Sequence, residues 1–363
     1  MRCWLPGIRW SVINLGRIKL NTDKTIDKKR WHLIQNIKYI ITEKTNPYEN
    51  LALEEYLLKN VKKDEVILYL WQNEKTVVIG KNQNPWKECR IAELEEDGGR
   101  LARRLSGGGA VFHDLGNLNF TFLATRENYN VDRQLEVIIK AVNRLGIPAE
   151  KSGRNDITAG GRKFSGNAFF SDGEHCYHHG TILVKVDMSM LSHYLNVSRD
   201  KLVSKGVESV RARVANLTEY VPELDIATVR SGLTEAFGEV YGLPPVRLKE
   251  DFPDQAILQE LEKKYASYEW KLGRRMEFNF SLEQRYSWGN IDLKFVVASG
   301  QITSCAAYSD ALETEYFEKL SKALTGCKFS SAVMAAAVEE VAIAQENTVI
   351  RQDIISLLEE AKL

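Results

Sequence analysis

The stretch ARRLSGGGAVFHDLGNLNFTF, residues 102–122, places three consecutive glycines two residues beyond the pair Arg103-Arg104. Successive glycines leave the backbone bare and permit positive φ, so neighbouring N–H groups can converge on an anion. A guanidinium beside them offers a fixed fork of donors for phosphate or carboxylate. Neither a GKS/T loop nor a GxGxxG helix start is present. The pattern therefore predicts an anion site on a strand–turn–strand platform, with a hairpin that only bends tightly as the alternative.

Two further stretches carry candidate polar groups. GRNDITAGGRKFSGNAFF, residues 153–170, brackets Lys163 with glycines, and its ammonium is a compact charge able to lie between a phosphate and a carboxylate. An exposed lysine on a hairpin is the alternative, and Asn155 with Asp156 suits either a ligand contact or an Asx turn. HCYHHGTILVKVD, residues 175–187, contains neither an HExxH motif nor a cysteine pair, the patterns that indicate zinc sites. We therefore expect one of its histidines to lie beside the site, and the metal ligands are unknown.

Composition narrows the class of protein. Lys plus Arg and Asp plus Glu balance at 49 each, which provides no overall field for nucleic acid or an anionic membrane. No apolar run approaches the roughly 20 residues that span a bilayer. The five cysteines are scattered without CxxC pairs, which is typical of a reducing cytoplasm. We expect a cytoplasmic monomer with neither nucleic acid nor membrane as partner.

The first 36 residues stand apart, with eight Lys or Arg against two Asp. We expect a loosely attached basic leader over residues 1–36. The alternative is a transit peptide, which would place the protein in mitochondria.

The remaining sequence indicates an α+β protein of two domains. Strand-like and helical runs interleave irregularly from residue 37, which predicts a mixed sheet with helices rather than a doubly wound one. A shift to prolines and charges predicts a linker at 244–255 between a catalytic domain, 37–243, and a small α+β accessory domain, 256–363. We expect the accessory domain to be an antiparallel sheet with two helices, and the Pro244-Pro245 step to allow it to move.

Taken in order, the three stretches resemble the motif series of the lipoate–protein ligase A family, within the biotinyl/lipoyl ligase and transferase superfamily. VVIGKNQNPWKEC, residues 77–89, and KGVESVRARVANLTE, residues 205–219, extend the resemblance to about residues 37–363. It implies the mixed sheet shared by biotin ligases and class II aminoacyl-tRNA synthetases. It also implies lipoate salvage in two steps: lipoate and ATP, with Mg²⁺, give lipoyl-AMP, and the lipoyl group then passes to a lysine of an acceptor. The implied acceptors are E2 lipoyl domains of 2-oxoacid dehydrogenases and the glycine cleavage H protein.

The resemblance also implies the roles of individual residues. Lys163 is the catalytic candidate and contacts both the phosphate and the lipoyl carbonyl. The implied nucleotide contacts are Arg104, Gly109, Ala110, Val111 and Phe112. Second-rank candidates are Gly107, Gly108, Asn155, Asp156, Ser165 and His179.

Three other functions stay open at this point. An ATP-independent octanoyl- or lipoyltransferase of the same fold would use Cys176 as a nucleophile, since Cys176 to Gly180 reads Cys-x-x-His-Gly. A mitochondrial-type lipoyltransferase would accept preformed lipoyl-AMP. A non-catalytic binder of lipoate or nucleotide is the third.

Overall fold

The computed structural model describes residues 34–153, 156–196, 213–249, 253–273 and 277–363. The strands are β1 Asn36–Ile41, β2 Glu65–Trp71, β3 Thr76–Ile79, β4 Arg100–Arg103, β5 Val111–His113, β6 Asn117–Thr125, β7 Ala149–Ser152, β8 Asp156–Ala159, β9 Arg162–Ser171, β10 His175–Leu183, β11 Pro245–Arg247, β12 Phe280–Tyr286, β13 Gly289–Ala298 and β14 Gln301–Ser309. The helices are α1 Pro47–Asn60, α2 Pro85–Glu88, α3 Ile91–Glu96, α4 Val131–Arg144, α5 Met188–Tyr194, α6 Ile226–Tyr241, α7 Gln255–Ala266, α8 Tyr268–Lys271, α9 Glu315–Leu324, α10 Ser331–Glu339 and α11 Thr348–Glu360.

The main sheet has eight strands in the order β11-β1-β2-β6-β10-β9-β8-β7. The first three run parallel and the others pair antiparallel, which confirms the predicted mixed sheet and the α+β class. Successive strand residues point to opposite faces. Along β2, Val66, Leu68 and Leu70 therefore pack with α4 and α6, while the alternate residues pack with α1. The sheet is buried on both faces at its centre.

The glycine turn belongs to a separate small sheet. β4, which ends at Arg103, and β5, which begins at Val111, both pair with β3. The turn therefore passes over the end of β3. The alternative of a hairpin whose glycines only make a tight bend is wrong, because β4 and β5 each pair with β3, which lies between them, and not with each other.

Helix starts follow local signals in the sequence. The Asn46 side chain accepts from the Tyr48 N–H and Pro47 occupies the first turn of α1. Asn130 caps α4 in the same way through the Arg133 N–H. These caps fix where both helices begin, and thus which of their faces meets the sheet.

The C-terminal part has a core of its own. Strands β12, β13 and β14 form an antiparallel sheet that packs against α9, α10 and α11. Two helices were predicted here, and α11 is a third that buries Ile350, Ile354 and Leu358. Their spacing of four residues is the helical stripe that this core requires.

The linker expected at 244–255 differs from the structure. Pro245–Arg247 is the edge strand β11, and the Leu248 N–H donates to the Tyr39 carbonyl at 2.7 Å. Proline at the first position of an edge strand is tolerated because no ladder N–H is needed there. Beyond it, Tyr265 of α7 packs in the same cluster as α1. The Pro244-Pro245 step is therefore anchored, and the second core begins only at β12.

The leader expected over residues 1–36 is tested only at its end, where Asn36 begins β1 and so belongs to the main sheet. Residues 1–33 lie outside the described residues, so the leader there stays a prediction, as do the localisation and the monomeric state. Within the described ranges, no helix combines the length and apolar character needed to cross a bilayer.

Candidate active site

A cavity of about 300 Å³ opens between the small sheet and strands β9 and β10. Its wall combines polar groups from the glycine turn with an apolar surface. The apolar part is formed by Leu51, Trp71, Val78, Leu183 and Val214. Arg104, Lys163 and His179 line it as well, together with residues 108–113. The structure thus brings the first, second and third motif stretches to one space.

The three glycines of the turn serve different purposes. A Cβ on Gly107 would collide with the Ala311 carbonyl oxygen of the C-terminal unit. Gly108 has φ +90°, a conformation that favours glycine, and its N–H donates to the same carbonyl at 2.9 Å. A Cβ on Gly109 would meet nothing within 4 Å, and Gly109 lines the cavity. The turn is bare on one side where it meets the C-terminal unit and on the other where Gly109 faces the cavity.

Arg104 holds the turn from within. Its Nη2 donates to the carbonyls of Gly107 and Gly109 at 2.7 and 2.8 Å, and its Nη1 donates to that of Val78 at 3.1 Å. Burial lowers the pKa of Arg104 to about 10, so the guanidinium stays charged at neutral pH. Arg104, the predicted nucleotide contact, lines the cavity. Most of its N–H groups already donate to atoms of the glycine turn.

Arg103, unlike Arg104, does not line the cavity. Its guanidinium donates to the carbonyls of Gln83 and Lys271 at 2.8 Å each, and to others nearby. The Trp270 indole N–H donates back to the Arg103 carbonyl at 2.8 Å. Arg103 thus ties α8 to the small sheet.

Lys163 is held in position by backbone hydrogen bonds and by an ion pair of its side chain. Its N–H donates to the Arg213 carbonyl at 2.7 Å and its carbonyl accepts from Ala215 at 2.9 Å. The Nζ atom lies 2.7 Å from Asp156 Oδ1, and both side chains are 36% exposed. A Cβ on Gly166 would lie 2.9 Å from Nζ. The lysine side chain therefore folds back over Gly166, and a methyl group there would displace the ammonium end of that side chain.

The two adjacent histidines of β10 face opposite sides of the sheet. His178 meets Gln134 of α4 and Asn167, at 3.2 and 2.7 Å, and its burial lowers its pKa to about 3. His179 faces α1, where its Nδ1 lies 2.8 Å from Glu54 Oε1. Only His179 belongs to the cavity wall.

Sequence interpretation missed Glu54. The residue is 1% exposed, and its carboxylate also accepts from Thr121 at 2.7 Å. A usable signal was present: Glu54 lies three residues after Leu51 and four before Leu58, on the apolar face of α1. A lone charge on such a face needs a buried partner.

The remaining candidate residues differ in whether they line the cavity. Ala110, Val111 and Phe112 line the cavity, whereas Ser165 is fully buried outside its wall, and Gly107 is also outside it. Asn155 lies outside the described residues. Among the residues described, no group of three or more His, Cys, Asp or Glu side chains is placed to hold a metal ion.

Cys176 does not reach the cavity. Its thiol donates to Ser171 Oγ at 3.2 Å and does not line the wall. Burial raises its pKa, which opposes the thiolate that a nucleophile requires.

Comparison with known proteins agrees with this geometry. Residues 46–238, more than half of the chain, match the family described as lipoyl protein ligase A/B catalytic domain. Residues 275–358 match the bacterial lipoate protein ligase C-terminus.

Three solved structures are similar over long stretches, each at 28% identity. LipL1 of P. falciparum, in complex with lipoate, is matched over 88% of this chain and 100% of that one, with a TM-score of 0.78. The bi-partite lipoate protein ligase of Thermoplasma acidophilum, analysed with its E2 lipoyl domain, is matched over 68% and 99%, with a TM-score of 0.60. A lipoate-protein ligase A bound with ATP is matched over 66% and 99%, with a TM-score of 0.58. The resemblance inferred from the motif stretches is confirmed: the chain belongs to the family of the lipoyl protein ligase A/B catalytic domain.

Proposed function

We propose that this protein is an ATP-dependent lipoate–protein ligase, which activates lipoate as lipoyl-AMP and transfers the lipoyl group to a lysine of an acceptor protein. One observation carries the proposal. A single cavity joins an apolar wall suited to an acyl chain, the open face of Gly109 and the Lys163 ammonium group. An acyl-adenylate needs these three environments side by side.

The first step must bring together two anions, the lipoate carboxylate and the ATP triphosphate. Fixed positive charge offsets their repulsion and gains most where negative charge develops at the α-phosphorus. Lys163 supplies that charge from a strand, and the ion pair with Asp156 holds its ammonium in place before substrate arrives. Holding both reactants in one cavity supplies much of the remaining acceleration.

The bond changes balance without a further reactant. A lipoate oxygen attacks the α-phosphorus and pyrophosphate leaves, which gives the mixed anhydride. The acceptor lysine, as a neutral amine, then attacks the lipoyl carbonyl. An amide forms, AMP leaves with the bond electrons, and the amine proton passes to solvent.

Mg²⁺ is proposed to enter with ATP. It is usually held by one or two carboxylates together with substrate phosphates, and it offsets phosphate charge. Asp156 is a carboxylate beside Lys163 that fits the role of one ligand, and the lack of a larger cluster among the described residues fits a metal carried mainly by nucleotide.

The relatives support both substrates and the acceptor class. LipL1 was solved with lipoate, a ligase A with ATP, and the archaeal ligase was studied with its E2 lipoyl domain. We extend these to this chain, and we propose E2 lipoyl domains and the glycine cleavage H protein as acceptors. The placement of Cys176 weighs against the cysteine-dependent octanoyltransferase.

The test is ATP-dependent lipoylation of a purified E2 lipoyl domain, followed by intact mass. The proposal expects one lipoyl addition that requires ATP, Mg²⁺ and lipoate together, with octanoate run in parallel to define acyl preference. Modification from lipoyl-AMP alone, with none from lipoate and ATP, would instead establish a lipoyltransferase.

A further inference from the structure

Four buried side chains behind the glycine turn form one hydrogen-bonded row, which we call the Glu54 network. It runs from Arg104 through Ser106 and His179 to Glu54. The successive distances are 3.0 Å from Arg104 Nε to Ser106 Oγ, 2.7 Å from Ser106 Oγ to His179 Nε2, and 2.8 Å from His179 Nδ1 to Glu54 Oε1. No member is more than 7% exposed. Solvent therefore cannot replace a missing member.

The directions of the two outer bonds of the network are fixed by chemistry. A guanidinium only donates and a carboxylate only accepts. Arg104 must therefore donate to Ser106, and His179 to Glu54. Ser106 Oγ and His179 Nε2, 2.7 Å apart, form the central bond of the row. The network thus joins the buried Arg104 guanidinium to the buried Glu54 carboxylate through Ser106 and His179.

A second donor converges on the same carboxylate oxygen. The Trp71 indole N–H donates to Thr121 Oγ1 at 3.1 Å, and Thr121 donates to Glu54 Oε1 at 2.7 Å. Glu54 is the final acceptor of both rows. Since buried charges are costly when a partner is missing, its loss disturbs both rows together.

The other end of the network sets the glycine turn. Arg104 Nη2 binds the carbonyls of Gly107 and Gly109. In a trans peptide the N–H points opposite to the carbonyl, so the bond to the Gly109 carbonyl turns the Ala110 N–H away from the guanidinium. Ala110 lines the cavity. The orientation of this peptide therefore depends on the position of Arg104.

The order acid, imidazole and hydroxyl also occurs in hydrolases, but the chemistry differs here. Ser106 is fully buried, lies outside the cavity wall, and accepts a bond from Arg104. A hydroxyl in that position cannot attack a ligand. The row holds a loop in place and supplies no nucleophile.

We propose that Glu54 is a positioning residue for the nucleotide part of the acyl-adenylate. It lies outside the cavity wall and acts through His179, Ser106 and Arg104 on the Gly109–Ala110 peptide. The proposal rests on the proposed function only in taking lipoyl-AMP as the ligand. It holds equally for a ligase and for a lipoyltransferase.

The test compares the full-length protein with Glu54→Gln and Glu54→Met by calorimetry, using lipoyl-AMP and lipoate as separate ligands. Glutamine keeps an oxygen acceptor without the charge, whereas methionine keeps the volume and removes the acceptor. We expect Glu54→Met to weaken lipoyl-AMP binding about tenfold or more, as for loss of a bond to a charged group. Glu54→Gln should weaken it less, and in both variants lipoate binding should weaken less than lipoyl-AMP binding, because only the Trp71 row reaches the apolar wall.

A matched control separates positioning from stability. Glu65 is a buried carboxylate of β2 that pairs with Lys38 at 2.5 Å, remote from the cavity wall. Glu65→Gln should lower the melting temperature without changing the lipoyl-AMP affinity. Unchanged lipoyl-AMP affinity in a folded Glu54→Met protein overturns the proposal, and so does an equal loss for lipoate. If Glu54→Met does not fold, Glu54→Gln decides by the same criteria. Failure of wild type to use ATP would reject the ligase function and leave this test intact.

Discussion

Two glycines of the turn, Gly107 and Gly109, should respond in opposite ways to the same added methyl group. A Cβ on Gly107 would collide with the Ala311 carbonyl and lie 2.7 Å from that of Leu312, against an ordinary contact of at least 3.4 Å. Both obstacles are backbone atoms of the loop between β14 and α9, which we call the C-terminal loop. This loop must therefore move away from the turn. Overpacking of this kind costs about 1–3 kcal/mol, roughly 5- to 150-fold in the docking equilibrium.

Hydrogen exchange followed by mass spectrometry reports this docking directly, because the Gly108 N–H donates to the Ala311 carbonyl. In Gly107→Ala, hydrogen exchange of the peptide that contains Gly108 should accelerate roughly 5- to 150-fold, as the docking equilibrium shifts. Gly109→Ala is the matched control, since its Cβ meets nothing within 4 Å. It should retain the exchange rate and lose affinity for lipoyl-AMP, because Gly109 lines the cavity. Equal exchange in the two variants would refute the contact between the turn and the C-terminal loop.

Three further outcomes follow from the site. Lys163→Ala should lower the rate of lipoate adenylation about 100- to 1000-fold in a kinetic assay, since one preorganised donor is lost. Its melting temperature should barely change, because a part-exposed ion pair contributes at most about 1 kcal/mol. Cys176→Ser should retain ATP-dependent lipoylation of a lipoyl domain. Acid should destabilise the protein through His113 and His178: burial lowers both pKa values to about 3, so only the unfolded chain takes up their protons below pH 6.5. Denaturant titration should show a loss of about 2 kcal/mol for each histidine between about pH 6.5 and pH 5.

Each of these has its own control or counter-result. Lys151→Ala removes an exposed lysine that pairs with Asp132 at 2.8 Å, and it should leave adenylation unchanged. Near-normal activity of Lys163→Ala would remove that residue from its role. Loss of lipoylation in a folded Cys176→Ser protein would restore the thiol as a nucleophile. A stability that is flat between pH 7 and pH 5 would mean that the two histidines are not held neutral.

Local pattern predicted much of the fold. The sequences of β6, β10 and α4 carry the alternation or the helical spacing that follows from burial of one face or both, so local pattern indicates these elements. The same reasoning failed at Pro245, where prolines and charges suggested a linker. An edge strand tolerates that composition, and only its pairing with β1 reveals it.

Sequence could predict those site residues that lie in a recognisable motif. Gly109 and Lys163 are such residues, because the chemistry of each motif involves neighbours in sequence. The local pattern could mark Glu54 as a buried charge, but it could not identify its partners Thr121 and His179, which lie 67 and 125 residues away. The dependence of Gly107 on the Ala311 loop is likewise invisible without the fold. Long-range contacts of this kind are decided by topology, which no local window contains.

Lipoate-dependent exchange of pyrophosphate into ATP tests most directly whether the cavity forms an acyl-adenylate. Wild-type protein should catalyse the exchange only when lipoate is present, and Lys163→Ala should not. An absence of exchange in wild type, alongside efficient transfer from supplied lipoyl-AMP to a lipoyl domain, would contradict the ligase function.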